Sequence, residues 1–211
     1  MDYTKLSLKE YSEKLSSGEP VPGGGGTSAS VGALAASLGL MVGSLTLGRE
    51  KYADVEDRIK ELMKDMDELR LKLIELCQAD TEVFKALHQV YSMPKESEED
   101  KAKRREAMEL ALREAARVPY EIVENTCKAV DLMDEFSLIG NKGAVSDAGT
   151  GAAFAMAAIN GAALNVFINT KSMKDRAYAN ELNDKVLELM DLANTKAGQI
   201  YDRVKSAMLG E

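Results

Sequence analysis

The sequence of 211 residues has few of the residue types on which many active sites depend. It contains one histidine, His88, and two cysteines, Cys77 and Cys127, which lack the C-x-x-C spacing of a metal site or redox pair. A single histidine excludes mechanisms that need two, and we predict no bound metal. The thiols are interpreted as reduced core residues. Because the N-terminus also lacks the pattern of a signal peptide, the sequence predicts a cytoplasmic protein.

Positive charge and aromatic side chains are also scarce. Lys and Arg number 27 against 35 Asp and Glu, which gives a net charge of −8. Because such a field repels polyanions, we expect neither nucleic acid nor an anionic membrane as a partner. Aromatic residues make up 5% of the chain and tryptophan is absent, whereas hydrophobic residues make up 45%. The core is therefore predicted to consist of Ala, Leu, Ile, Val and the 11 Met residues in close-packed helices.

Apolar residues recur three and four positions apart almost throughout the chain, which predicts an all-α bundle of about six helices in one domain. A short helix is expected over Leu8–Ser16 and a long amphipathic helix over Asp54–Tyr91. A further long helix is expected to begin at Ser97 and to kink at Pro119. A capping box formed by Ser172 with the aspartate three residues later is expected to begin the last helix.

Two long stretches carry no charged residue, Pro20–Gly48 and Ala148–Thr170. Both are rich in Gly, Ala and Ser, and Gly39 and Gly43 are four residues apart on one helical face. Small residues let helix backbones approach closely, so these stretches are predicted to form two central helices packed by the long amphipathic ones. Their length also suits a membrane span, but their Ser, Thr and Asn content and the lack of basic flanking clusters favour a bundle outside the membrane.

Asp80 interrupts the apolar stripe of the Asp54–Tyr91 helix and is predicted to point inward. Two interpretations are open. A structural aspartate would pair with an arginine or cap another helix, whereas a functional one would be an acid or base whose pKa is raised by burial.

Four consecutive glycines, Gly23, Gly24, Gly25 and Gly26, precede the first uncharged helix, which Thr27 or Ser28 is expected to cap. Their backbone N–H groups could bind an anion at the helix N-terminus, but a flexible turn explains the same glycines. The stretch lacks the Lys-Ser/Thr ending of a P-loop.

Amide side chains flank or lie within the second uncharged helix, namely Asn141, Asn165 and Asn169. An amide on an Ala-rich face needs a hydrogen-bond partner or a ligand. Asp147 lies near the start of the same helix, where interaction with the helix dipole is a sufficient structural explanation.

Five segments in register over nearly the whole chain resemble the cyclodeaminase/cyclohydrolase family. They are Pro22–Gly26, Leu45–Arg49, Ala79–Phe84, Val118–Pro119 and Gly140–Asn169. This family comprises the cyclodeaminase domain of formiminotransferase-cyclodeaminase and stand-alone bacterial methenyltetrahydrofolate cyclohydrolases. The resemblance implies an all-helical homodimer that acts on a tetrahydrofolate derivative, with no metal, covalent nucleophile or other cofactor.

The resemblance also implies roles for individual residues. Asp80 matches the family's proposed catalytic aspartate and would act as general acid/base at the one-carbon unit. Asn141, Asp147 and Asn165 would orient the pterin or the one-carbon group, and the Gly23–Gly26 loop would close over the ligand.

Arg49 and Lys51 could bind the anionic glutamate tail of folate, although solvated cations at a helix C-terminus are the simpler interpretation.

Gln78 stands where the formiminotransferase-linked domains carry a second aspartate, so a proton shared between two carboxylates is not supported. We also expect no formiminotransferase domain beside this one, which makes a cyclohydrolase role as plausible as a cyclodeaminase role.

A different class, a non-catalytic helical dimer that binds folate or a partner protein, also explains the helices. It gives no reason for an inward Asp80 unless a buried cation partners it. In the dimer, we expect the two uncharged helices to lie inside each subunit and the Asp54–Tyr91 helix to border the partner.

Overall fold

A computed structural model describes residues 1–210, in which the chain forms six α-helices, three 3-10 helices and no strand. The prediction of an all-α bundle is confirmed. The α-helices are α1 (Leu8–Leu15), α2 (Gly24–Thr46), α3 (Glu56–Tyr91), α4 (Glu98–Ile139), α5 (Val145–Ser172) and α6 (Arg176–Leu209). The 3-10 helices span Tyr3–Lys5, Glu50–Val55 and Lys142–Ala144.

Local side-chain caps begin three of the six α-helices, α1, α4 and α6. Ser97 begins α4 with a reciprocal capping box, as its sequence predicts. The long helix begins at Glu56 rather than Asp54, because the preceding residues form a 3-10 helix. The predicted box at Ser172 is wrong, since Ser172 ends α5 and Asp175 alone caps α6 by accepting the Tyr178 N–H.

The two uncharged helices, α2 and α5, pack antiparallel at the centre of the bundle. Gly161 lies against Ser28 and Gly151 against the backbone of Ala35, so small residues meet along the whole contact. α3 packs antiparallel on another side of α2, with Met66 against Gly39. α4 packs against α2, α3 and α5, and α6 packs against α4 and α5.

One face of each uncharged helix remains exposed, so the prediction that these helices lie inside the subunit holds for only part of their surface. Leu34 and Met41 of α2 are 54% and 47% exposed, and Leu164 and Ile168 of α5 are 68% and 62% exposed. By length and composition alone, Gly24–Thr46 and Lys142–Ser172 could each cross a membrane, but about half of each stretch is buried in the bundle, as in the core helices of many proteins outside membranes. Over the stretches Pro20–Gly48 and Ala148–Thr170, these exposed faces carry no charged residue.

Candidate active site

A cavity of about 150 Å³ lies where α2 begins, between α3, α4 and α5. Asp80 is the single carboxylate among the lining residues that the structure describes. The wall consists of Pro20, Val21, Gly23, Gly24, Gly25, Asp80, Val83, Phe84, Ala115, Asn165, Ile168 and Asn169. Asp80 and the glycine segment, which are widely separated in sequence, therefore meet at one site.

Asp80 lies against the N-terminus of α2. The Gly26 N–H donates a 2.7 Å hydrogen bond to Oδ2 of Asp80. Gly23, the N-cap residue of α2, supplies no side-chain acceptor. The prediction that Thr27 or Ser28 caps this helix is wrong, because both hydroxyls lie one turn inside it and donate back to Gly23 and Gly24 carbonyls. Asp80 instead takes the role of acceptor for the first turn.

The approach of Asp80 to α2 depends on the absence of a side chain at Gly25. A Cβ at that position would lie 2.6 Å from Cγ and 2.8 Å from Oδ2 of Asp80, and nearer still to Oδ1. Contacts that short do not occur between a real Cβ and a carboxylate. The glycine segment therefore brings a helix backbone, and the positive end of its dipole, directly against the carboxylate.

Burial raises the pKa of the Asp80 carboxyl above its ordinary value of 3.8, and the hydrogen bond from Gly26 opposes this only in part. Among residues 1–210, no cation pairs with Asp80, and Oδ1 receives no hydrogen bond. The capping interpretation of Asp80 thus accounts for one oxygen and leaves the other without a hydrogen-bond donor among these residues, in a side chain that lines the cavity. A carboxyl in this environment can both take and return a proton.

Two asparagines one turn apart on α5 form the opposite wall. Asn165 donates its amide N–H to the Gly161 carbonyl at 2.8 Å, and Asn169 donates to the carbonyls of Ala115 and Asn165 at 2.9 and 2.7 Å. Within the described chain, neither amide oxygen accepts a hydrogen bond, although both residues line the cavity. These oxygens can accept hydrogen bonds from a ligand.

Pro119 explains why the Ala115 carbonyl is free to bind Asn169. α4 continues through Pro119, which has no N–H to donate to the carbonyl four residues earlier. That carbonyl belongs to Ala115, and the Asn169 amide supplies the missing hydrogen bond. The proline therefore helps fix the orientation of a side chain in the cavity wall.

The remaining wall is apolar and includes Val83, Phe84 and Ile168. Val83 and Phe84 follow Asp80 by three and four residues, so they share its face of α3. These side chains and Asn169 are not among the site residues that the sequence predicts. Their helical spacing from Asp80 and Asn165 is a signal that could have identified them.

Four predicted site residues lie at the other end of the bundle, namely Arg49, Lys51, Asn141 and Asp147. α2 has 23 residues and is about 34 Å long at 1.5 Å per residue, so its C-terminal neighbours lie far from Asp80 in the same chain. The Asn141 side chain makes structural contacts, donating to the Leu45 carbonyl and accepting the Gly143 N–H. The structure brings together Asp80, the glycine segment and Asn165, and leaves these four apart.

Comparisons with known proteins identify the family to which this chain is similar. The sequence profile described as formiminotransferase-cyclodeaminase matches residues 7–188. Over 200 residues the chain is 36% identical to a methenyltetrahydrofolate cyclohydrolase from Methylorubrum extorquens, covering 95% of this chain and 96% of that protein. It is 29% identical over 199 residues to the formimidoyltransferase-cyclodeaminase of Sus scrofa, covering 94% of this chain but 37% of that longer protein.

The fold is similar to a crystal structure described as a formiminotetrahydrofolate cyclodeaminase from Thermotoga maritima. The two structures superimpose with a TM-score of 0.80 at 30% sequence identity, covering 98% of this chain and 97% of the other. The similarity therefore extends over the whole bundle, including every element that lines the Asp80 cavity.

Proposed function

The chain belongs to the formiminotransferase-cyclodeaminase family, and we propose that it is a folate one-carbon enzyme that acts on the C–N bonds of the tetrahydrofolate one-carbon unit. The observation that supports this most directly is the Asp80 carboxyl, which has a raised pKa and one free oxygen in a cavity. Breaking a C–N bond at such a carbon requires a proton carrier, and Asp80 is the residue that can supply it.

Hydrolysis of 5,10-methenyltetrahydrofolate is the activity we favour, because the relative with that name matches over almost its entire length. In this proposal, the Asp80 carboxylate takes a proton from water as the water oxygen bonds to the methenyl carbon. Asp80 then returns the proton to the folate nitrogen as its C–N bond breaks. The hydroxyl of the tetrahedral carbon loses its proton to solvent, leaving a formyl group.

Cyclodeamination of 5-formiminotetrahydrofolate is a second candidate, favoured by the description of the structural neighbour. There a folate nitrogen attacks the formimino carbon and ammonia leaves, so the same carboxyl would move a proton between two nitrogens. Gln78 does not supply a second acid in either reaction. Its side chain accepts the Tyr3 N–H at 3.1 Å and donates to Glu82 at 3.1 Å.

Binding would use the remaining walls of the cavity. The free amide oxygens of Asn165 and Asn169 would accept hydrogen bonds from pterin N–H groups, and Phe84 and Ile168 would contact its ring faces. No cofactor is part of this proposal, since the tetrahydrofolate derivative is itself the substrate. The unpaired thiols of Cys77 and Cys127 support a cytoplasmic location.

We expect the purified protein to convert 5,10-methenyltetrahydrofolate to the formyl product faster than the uncatalysed reaction, measured as loss of the methenyl absorbance. With 5-formiminotetrahydrofolate, appearance of that absorbance together with released ammonia would instead identify the cyclodeaminase. Folate binding without turnover of either substrate would contradict the enzyme proposal and favour the non-catalytic alternative.

The uncharged surface of α2 and α5 is proposed to bind a second copy of the chain. It carries Leu34, Met41, Phe154 and Leu164 at partly or largely exposed positions, and groups of exposed apolar side chains mark interaction sites. Because charge is absent from both helices over these stretches, two copies could meet there without burying an unpaired ion. The proposed interface therefore lies on α2 and α5, whereas the sequence predicts that the Asp54–Tyr91 helix borders the partner.

We expect sedimentation equilibrium to give twice the chain mass of 22.9 kDa. Leu164→Arg should convert the protein to a monomer, because it would bury a guanidinium in the interface. The matched control is Leu187→Arg on α6, which is 52% exposed and lies outside this surface. A monomeric parent protein, or a dimer that survives Leu164→Arg, would contradict this interface.

A further inference from the structure

A second cavity, of about 200 Å³, lies between the beginning of α4 and the end of α5. It is lined by Arg104, Arg105, Met108, Glu109, Ser172 and Lys174. Three of these six side chains are cationic, in a protein whose net charge is −8. None of these three cations is among the site residues that the sequence predicts.

No carboxylate within residues 1–210 forms an ion pair with these three cations. Their neighbours Lys101 and Lys103 pair with Glu98 and Glu99 at 2.7 and 2.6 Å. Within residues 1–210, by contrast, Arg104, Arg105 and Lys174 form no ion pair, and the Nε of Arg104 is buried without a hydrogen-bond partner. A buried donor without an acceptor costs free energy, which a bound anion would recover.

The one carboxylate among the described lining residues, that of Glu109, already accepts two hydrogen bonds. Glu109 accepts the backbone N–H of Lys174 at 2.8 Å through one oxygen and that of Asp175 at 3.1 Å through the other. It thus ties the connection after α5 to α4 and holds Lys174 beside the arginines. The cavity retains an excess of positive charge.

The cationic cavity is close to the Asp80 cavity along the same helices. On α4, Ala115 lines the Asp80 cavity and Met108 lines the cationic one, seven residues or about 10 Å apart. On α5, Asn169 lines the Asp80 cavity and Ser172 lines the cationic one, three residues or about 4.5 Å apart. A ligand anchored at Asp80 and extending along α4 would reach these cations.

We propose that Arg104, Arg105 and Lys174 form a tail subsite that binds the carboxylates of the glutamate tail of the folate substrate. This inference rests on the proposed function, which supplies a ligand with a ring at one end and carboxylates at the other. Guanidinium groups suit carboxylates because they can donate two parallel hydrogen bonds. The tail subsite replaces Arg49 and Lys51, which lie at the opposite end of the bundle.

The test compares the affinities of 5-formyltetrahydrofolate as its monoglutamate and triglutamate, measured by isothermal titration calorimetry. The parent protein should bind the triglutamate more tightly, and this preference should weaken at high salt. The triple variant Arg104→Gln/Arg105→Gln/Lys174→Gln should lose affinity for the triglutamate about tenfold, since each partly exposed charge contact contributes up to a few-fold. Lys64→Gln/Lys128→Gln, which removes exposed cations elsewhere, should leave the preference intact.

Equal affinity for both tail lengths, or a preference that persists in the triple variant, would overturn the tail subsite. A loss of preference in Arg49→Gln/Lys51→Gln would locate the tail at the other end and would also overturn it. Because Arg105 and Lys174 are exposed, the double variant of these two residues provides the same test if the triple variant does not fold. Turnover of the monoglutamate by the parent protein tests the proposed function separately, so the two ideas can fail independently.

Discussion

Replacing Asp80 with asparagine is expected to lower kcat/KM by at least about 10²-fold, because general acid-base catalysis contributes about 10² to 10⁴ to such rates. Asparagine has nearly the same shape, and its amide oxygen can still accept the Gly26 N–H, so the cap of α2 is retained. What is lost is the ability to take a proton from the nucleophile and return it to the leaving nitrogen. The measurement is steady-state turnover of 5,10-methenyltetrahydrofolate.

The pH dependence gives a second readout of the same residue. Burial raises the pKa of Asp80, so the activity of a base at this position should fall as pH drops through that raised value. The residual activity of the Asp80→Asn variant should not show this acidic limb. If the activity of the variant falls at acidic pH in the same way as that of the parent protein, a group other than Asp80 causes the fall.

The contribution of Asp80 to folding stability should fall as pH rises, whereas its contribution to activity should rise with pH. Because its pKa is raised on folding, Asp80 binds a proton more tightly in the folded protein than in the unfolded chain. Its favourable contribution is therefore present below the ordinary value of 3.8 and is lost as pH rises through the raised pKa. At pH 7 the Asp80→Asn variant should accordingly have a Tm equal to or higher than that of the parent protein.

The matched control is Asp65→Asn, an exposed aspartate on the same helix. It should change neither turnover nor the acidic limb. If Asp80→Asn keeps full activity while remaining folded, Asp80 is not the proton carrier and serves only as a helix cap. If Asp65→Asn lowers activity as much as Asp80→Asn does, the loss comes from a general change in charge and not from the loss of proton transfer by Asp80.

The sequence predicts those parts of the fold that depend on local interactions. Apolar spacing identifies six helices, and the Ser97 capping box marks the start of α4 correctly, because both arise within a few residues of chain. The inward position of Asp80 follows from the same spacing. Its role as the cap of α2 does not, because that contact joins residues 54 positions apart.

The site residues also divide into those that local sequence identifies and those that depend on contacts between distant parts of the chain. Asn165 and the glycine segment meet Asp80 because antiparallel packing puts the end of α5 beside the start of α2. Asn141 and Asp147 come shortly before the uncharged stretch Ala148–Thr170, so they lie just before α5 and in its first turn, nearly the length of the bundle away. The periodicity of the sequence predicts which face of a helix a residue occupies, but it does not predict at which end of the bundle the residue lies. The link between Pro119 and Asn169 likewise requires knowing that α4 and α5 are neighbours.

Gly25→Ala is expected to abolish most of the activity and to destabilise the protein by about 1 to 3 kcal/mol, the usual range for overpacking a close contact. The new methyl group would overlap the Asp80 carboxylate, which lies 2.6 to 2.8 Å away at Cγ and Oδ2. Either Asp80 or the first turn of α2 must move, and both movements break the Gly26 hydrogen bond that positions the carboxylate. Turnover and chemical denaturation measure the two effects.

A glycine-to-alanine substitution at a position without close neighbours separates the effect of the clash with Asp80 from the general effect of alanine on a helix. Gly198 lies inside α6, and a Cβ there would meet nothing within 4 Å. Gly198→Ala should therefore stabilise the protein by up to about 1 kcal/mol, because alanine favours helix more than glycine does, and should leave turnover unchanged. If Gly25→Ala is as active as Gly198→Ala, the carboxylate does not need its position against α2. Catalysis would then depend on the raised pKa of Asp80 alone and not on the helix N-terminus beside it.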